Sequence, residues 1–212
     1  MEKRITKTLN AFMVLVVTVL FAGCSSNSTL PSATLHSSGT KNVADYKYLI
    51  GPADVLNIFV WRNPEVSGTF VVRPDGMITT SLVEDIEVSG KTPSELARLI
   101  ETKLGTYLRD PIVTVTVNNF VGPFSEQVRV IGEAAEPQAI SYTQNMTLLD
   151  VMIQVGGLTE FADGNDAVLV RIESGVQKQY DIAIEDLIKN GDISANVDVL
   201  PGDIIVIPET WF

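Results

Sequence analysis

Cys24 is the only cysteine in the 212-residue chain, and it closes an apolar run, Ala11 to Phe21, that ends in the small pair Ala22-Gly23. Lys3, Arg4 and Lys7 precede the run. A positive n-region, an apolar stretch and small residues beside the cut are what a signal peptidase reads. The run is shorter than the roughly 20 apolar residues a spanning helix needs, which argues against a plain transmembrane anchor. The expectation is a lipoprotein, with residues 1–23 removed as a signal peptide and the lipid carried on Cys24. Phe21 stands where such boxes usually carry Leu. With Cys24 consumed, no disulfide is open to the fold, and His36, the only histidine, cannot complete a Cys/His metal cluster. Stability must then come from packing and from assembly.

Residues 1–23 hold three basic and one acidic side chain, so their removal takes the formal net charge from −11 to −13. A chain this acidic repels nucleic acid, and no basic run overrides the field, which excludes nucleic-acid binding. Residues 24–45 are rich in Ser, Thr, Asn and Ala and read as a flexible tether. At about 20 residues its root-mean-square reach is roughly 25 Å. Ser25, rather than Asp, follows the cysteine, as in lipoproteins sorted to the outer membrane.

From Tyr48 the chain turns to short β-rich runs. Leu56, Ile58 and Val60 share one strand face and Val55, Phe59 and Trp61 the other, and apolar residues on both faces predict a buried strand. Pro74-Asp75-Gly76 predicts a hairpin between Thr69–Arg73 and Met77–Thr80. Thr92-Pro93-Ser94-Glu95 spells a capping box with Pro at the first helical position, followed by Leu96, Leu99, Ile100 and Leu104 at helical spacing. Asp110-Pro111 ends that helix, and Ile112 to Val117 alternates as a half-exposed strand. Gly122-Pro123 breaks the pattern, which divides the chain into residues 46–122 and 123–212. In the second part, strands at Val128–Ile131, Ala139–Tyr142, Ala167–Arg171, Gln177–Ile182 and Ile204–Ile207 surround a helix that Thr147 caps and Gly156-Gly157 stops, with a brief second helix at Glu185–Lys189. The predicted fold class is α+β, with two small β-rich domains: a sheet with one helix, then a β-grasp arrangement.

These runs, in this order, resemble the bacterial outer-membrane polysaccharide export proteins, the Wza-like exporters. The resemblance rests on Tyr48-Leu49-Ile50-Gly51-Pro52-Ala53-Asp54-Val55-Leu56, Val72-Arg73-Pro74-Asp75-Gly76, the helix from Thr92, and Arg109-Asp110-Pro111-Ile112-Val113-Thr114-Val115. Residues 128–208 are similar to an SLBB-type β-grasp domain through Val130-Ile131-Gly132-Glu133, Met146-Thr147-Leu148-Leu149, Gly156-Gly157-Leu158 and Leu200-Pro201-Gly202-Asp203. Ala53 replaces a Gly usual in the first turn, and Gln138 follows Pro137 where a Gly is typical. The resemblance implies a homo-oligomeric ring, with an octamer as one candidate among stoichiometries that it leaves open, through which exopolysaccharide passes, in contact with an inner-membrane polysaccharide co-polymerase. It also implies a periplasm-facing, lipid-anchored place at the outer membrane. Larger exporters end in an amphipathic pore helix, whereas only Glu209-Thr210-Trp211-Phe212 follow Pro208 here, as in short exporters of exosortase-type systems. A separate outer-membrane β-barrel is then the expected partner that completes the pore.

No His, nucleophile or metal constellation presents itself, so the expectation is no catalytic residue, no cofactor and no metal ligand. Glu84/Asp85 and Glu185/Asp186 are adjacent acids, unlike the carboxylates that face each other across a glycosidase cleft. Asp163-Gly164-Asn165-Asp166 lacks the spaced ligands of a calcium loop and reads as a turn. Trp61 could stack on a sugar ring, but its place on a strand read as buried points to core packing. Trp211 and Phe212 are expected either to dock on a partner or membrane interface or to fold back on the core. A glycan- or partner-binding β-grasp module without a conduit, and a polysaccharide-modifying enzyme, are the competing readings.

Overall fold

The computed structural model describes Gly39 and residues 45–211. Cys24 and Phe212 lie outside the described residues, as do the signal and most of the tether. The first sheet has the order β2-β1-β5, with β1 (Val55–Val60) antiparallel to both β2 (Gly68–Val71) and β5 (Val113–Asn119). Helix α1 (Pro93–Leu104) covers one face and buries Leu96, Ala97, Ile100 and Leu104 against it. Burying each of the larger side chains contributes about 1.5–3 kcal/mol. The helix starts where the sequence places it: Thr92 Oγ1 accepts from the Glu95 N–H at 3.3 Å, and Glu95 accepts from the Thr92 N–H at 2.9 Å. Glu101 takes the Val113 N–H at 2.9 Å while Arg98 donates to the Val113 carbonyl at 3.2 Å, so the helix grips the start of β5 from its own surface.

Two local expectations fail here. The outer face of β1 is open to solvent: Phe59 is 48% and Trp61, just past the strand, 55% exposed, while Leu56, Ile58 and Val60 are buried. A strand apolar on both faces is buried on both only where a second layer covers the sheet, and α1 covers one side alone. The Pro74-Asp75-Gly76 turn forms, with Gly76 N–H donating to the Arg73 carbonyl and Arg73 N–H to the Met77 carbonyl, both at 2.9 Å. Its arms, however, do not make a hairpin. β2 belongs to the first sheet, whereas β3 (Met77–Ile78) leaves to pair with β4 (Ile86–Glu87). The chain past β2 is tied to β1's side by reciprocal bonds, Ala53 N–H to Val72 O and Val72 N–H to Asp54 O, both at 2.9 Å.

The second sheet has the order β7-β6-β10-β8-β9, built from β6 (Gln127–Gly132), β7 (Ala139–Ser141), β8 (Ala167–Glu173), β9 (Val176–Ile182) and β10 (Ile204–Ile207). Its first and last strands, β6 and β10, lie side by side and parallel, and the remaining pairs are antiparallel. Helix α2 (Leu148–Gln154) buries Leu148, Val151 and Met152, and α3 (Ile184–Ile188) buries Ile184 and Leu187. That is the β-grasp arrangement in an α+β fold. Asp150 accepts from the Thr147 N–H at 2.9 Å and hydroxyl at 2.7 Å, and Leu148 and Leu149 N–H groups donate to Val197 O and Asn196 Oδ1, so the α2 start is fully provided for. Each sheet has its own apolar core, and both cores belong to one compact unit. Edge strand β9 is exposed except at Ile182 and presents Gln177, Lys178, Gln179 and Asp181, which discourages edge-to-edge pairing.

Candidate functional site

Gly51-Pro52-Ala53-Asp54 and Leu200-Pro201-Gly202-Asp203 fold alike. In each, the fourth residue's N–H donates to the first residue's carbonyl at 3.2 Å, and its carboxylate takes the first residue's N–H, at 2.9 Å for Gly51 and 2.7 Å for Leu200. The third residue sits at positive φ, 70° for Ala53 and 87° for Gly202, as a type II turn requires after Pro. Both carboxylates are fully buried.

They are satisfied in different ways. Asp203 receives Arg171 through two bonds, Nε at 2.9 Å and Nη2 at 2.7 Å, and these hold the guanidinium pKa above its ordinary value against the opposing effect of burial. Among the described residues, no cation donates a hydrogen bond to Asp54. Its Oδ1 takes the N–H groups of Val121 (2.8 Å) and Gly122 (3.0 Å), and its Oδ2 takes the Tyr48 hydroxyl at 2.6 Å besides Gly51. Asp54 thus binds the segment between β5 and β6. From the other side Gln127 donates its Nε2 to the carbonyls of Val121 (3.2 Å) and Gly122 (3.1 Å), and the Ser141 hydroxyl lies within 2.7 Å of Phe120 O. The approach is close enough that a Cβ on Gly51 would fall 2.0 Å from the Gly122 carbonyl carbon, which no side chain tolerates.

Tyr46 and Tyr48 extend the junction in opposite directions. Tyr48 packs on the first core and edge-on to Phe120 (5.1 Å between ring centroids), while Tyr46 packs on the second core, T-shaped to Tyr142 at 5.0 Å, with its hydroxyl donating to the Tyr142 carbonyl at 3.3 Å. Burial, then the nearby Glu126 carboxylate, pushes the Tyr46 phenol up to about 12. Burial and the bond to Asp54 carry Tyr48 well above the ordinary tyrosine range.

The second feature is the open face of the β2-β1-β5 sheet. Asn57 lies between Thr69 and Thr116, and Phe59 lies opposite Thr114. Phe59 and Trp61 meet in a T-shape, 6.3 Å between centroids at 73°, and Trp61 N–H bonds Ile112 O at 2.9 Å, which places Ile112 (60% exposed) at the same end.

Of the sequence-predicted docking residues, Trp211 is described and is 95% exposed. It does not fold back on the core. The segment before it is fixed by bonds from Asp163 N–H to Pro208 O (2.9 Å) and from Thr210 N–H to Phe161 O (2.8 Å), beside the half-exposed Phe161. Glu84 and Asp85 are exposed, and Asp85 pairs with Arg73 at 2.8 Å. The Asp163-to-Asp166 segment is a turn in which Asp163 takes the Asp166 N–H at 3.3 Å. Among the described residues, no cluster of three His, Cys, Asp or Glu is placed to hold a metal, and no helix is long and apolar enough to cross a membrane. Sequence reasoning quoted Asp54 and Asp203 only as motif members; two Pro-containing turns that each end in Asp were the available signal.

Two sequence families meet on this geometry. Residues 42–118 match the polysaccharide biosynthesis/export protein family and residues 126–207 match the SLBB domain, and the chain belongs to the polysaccharide export protein family. It is 29% identical over 187 residues to the EPS I polysaccharide export outer membrane protein EpsA of Ralstonia nicotianae, an alignment that spans 76% of this chain and 47% of that protein. The exopolysaccharide production protein ExoF of Rhizobium meliloti is 31% identical over 162 residues, 68% of this chain and 37% of that one. The capsule polysaccharide export protein BexD of Haemophilus influenzae is 26% identical over 187 residues, 78% and 44% respectively. The chain spans less than half the length of each of these relatives.

Proposed function

We propose that this chain is an outer-membrane component of an exopolysaccharide or capsule export machinery, held by lipid on Cys24 and facing the periplasm. In this reading copies assemble into a ring that conducts the polymer and meets an inner-membrane co-polymerase, with Trp211 and Phe212 docking on a partner. The observation that carries it is that both halves of the chain match, in order, the domains named for polysaccharide export and SLBB, in common with relatives named as exporters. The domains divide, in this proposal, at residues 122 and 123.

The test is deletion of the gene followed by complementation. Loss of surface polysaccharide is expected, with return on supplying the wild-type chain and no return with Cys24→Ser, which also loses palmitate incorporation. Surface polymer that persists in the deletion strain would overturn the export role, and palmitate labelling that persists in Cys24→Ser would remove the anchor. A monomeric mass for the membrane-extracted protein would favour the binding-module reading over the ring.

A further inference from the structure

We infer that the open face of the β2-β1-β5 sheet is a glycan-binding surface that stacks sugar rings of the exported polymer on Phe59 and Trp61; this rests on the export reading above. The outward positions of the three strands carry no charged side chain, in a chain of net charge −11. What they present instead is a row of amide and hydroxyl groups, Asn57, Thr69, Thr114 and Thr116, with the exposed Val71 at one end and the two exposed aromatics at the other. This combination is specific in its chemistry. The C–H face of a pyranose lies well on an aromatic ring, while its hydroxyls need both donors and acceptors, which Asn and Thr supply. A neutral face also admits acidic sugars that the rest of this surface would repel.

A second copy of the chain fits the same face less well. Permanent subunit contacts are mostly apolar, and closing this one would bury the Asn and Thr groups against a partner that must satisfy each of them. A sugar polymer brings its own hydroxyls. The face also lies within residues 42–118 apart from Asn119, so it belongs to the domain whose family is named for polysaccharide export.

The chain holds two tryptophans, Trp61 and Trp211, so Trp211→Phe leaves Trp61 as the sole indole reporter. The full chain with that change is titrated with fragments of the surface polysaccharide taken from its own source cells, and Trp61 emission is followed. A saturable change is expected, weakened about tenfold by Phe59→Ala and retained in Phe59→Tyr. In the deletion strain, the Phe59→Ala/Trp61→Ala chain should assemble and accumulate as wild type yet display about tenfold less surface polymer. No change in emission at saturating fragment concentrations overturns the proposal. Export equal to wild type overturns it, and so does loss of assembly in the double variant, which would make the face a contact between copies. The titration also separates the two claims: if deletion itself leaves surface polymer intact, the export reading falls, whereas a failed titration beside a polymer-less deletion strain removes the glycan surface alone.

Discussion

Replacing Asp54 by Ala would leave four donors, the Tyr48 hydroxyl and the N–H groups of Gly51, Val121 and Gly122, facing a hole from which water is excluded. Unsatisfied buried donors cost more than the net value of the bonds they lose. A loss of about 3 kcal/mol in urea unfolding is expected for Asp54→Ala, and a smaller one for Asp54→Asn, whose remaining carbonyl oxygen can still take two N–H groups. Equal midpoints for the wild type and Asp54→Ala would show that the carboxylate is idle. The turn around Asp54 was legible in Gly51-Pro52-Ala53-Asp54, because Pro and a short acid at those positions have local reasons to be there. Its burial was not. Two of its donors stand 67 and 68 residues away, and nothing in a turn motif announces a partner at that distance.

The starts of α1 and α2 were read correctly because capping chemistry is contained in four residues, whereas α3, which has no side-chain cap, begins at Ile184, one residue before the expected Glu185. Thr92/Glu95 and Thr147/Asp150 both form. The bonds from Thr92 hold Glu95, and those from Thr147 hold Asp150, below their ordinary carboxylate pKa values. A carboxylate depressed in the folded state stabilises above its unfolded pKa, and that contribution disappears as pH falls through the folded value. Helical circular dichroism should therefore hold down to about pH 4.5 and weaken below it, and Glu95→Gln with Asp150→Asn should flatten that acid-side fall. An unchanged acid profile in the double variant would assign the fall to other groups. The sheet face was misread for a reason of scale. Alternation in β1 specifies two faces but not how many layers cover them, and that depends on where α1 alone packs. The false hairpin has a similar origin, since Pro74-Asp75-Gly76 fixes a reversal of direction and leaves open which strand each arm will pair with.

At the level of the whole molecule, the order of motifs was enough to give the family, while the contacts that join the two cores carry little sequence signal. Tyr46 and Tyr48 illustrate this, as two like residues two positions apart serve different cores. Both phenols are half-buried and have raised pKa values in the fold. Such a group stabilises fully below the unfolded value of 10.0 and loses its contribution as pH rises through the folded one, about 12 for Tyr46. Thermal midpoints should hold up to pH 10 and decline between 10 and 12, with Tyr46→Phe declining less; an equal decline in that variant would place the sensitive group elsewhere. The clamp on residues 121–122 has a further consequence for descent and for protein engineering. Asp54, Gln127 and Ser141 grip the connector by its main-chain amides and carbonyls alone, so the connector's own side chains are invisible to it. Natural drift or deliberate recombination can change Val121 without loosening that grip, whereas the positive φ of 72° favours glycine at Gly122 and the ring contact with Tyr48 favours an aromatic at Phe120; a module exchanged between relatives keeps its alignment only if the gripping residues travel with it.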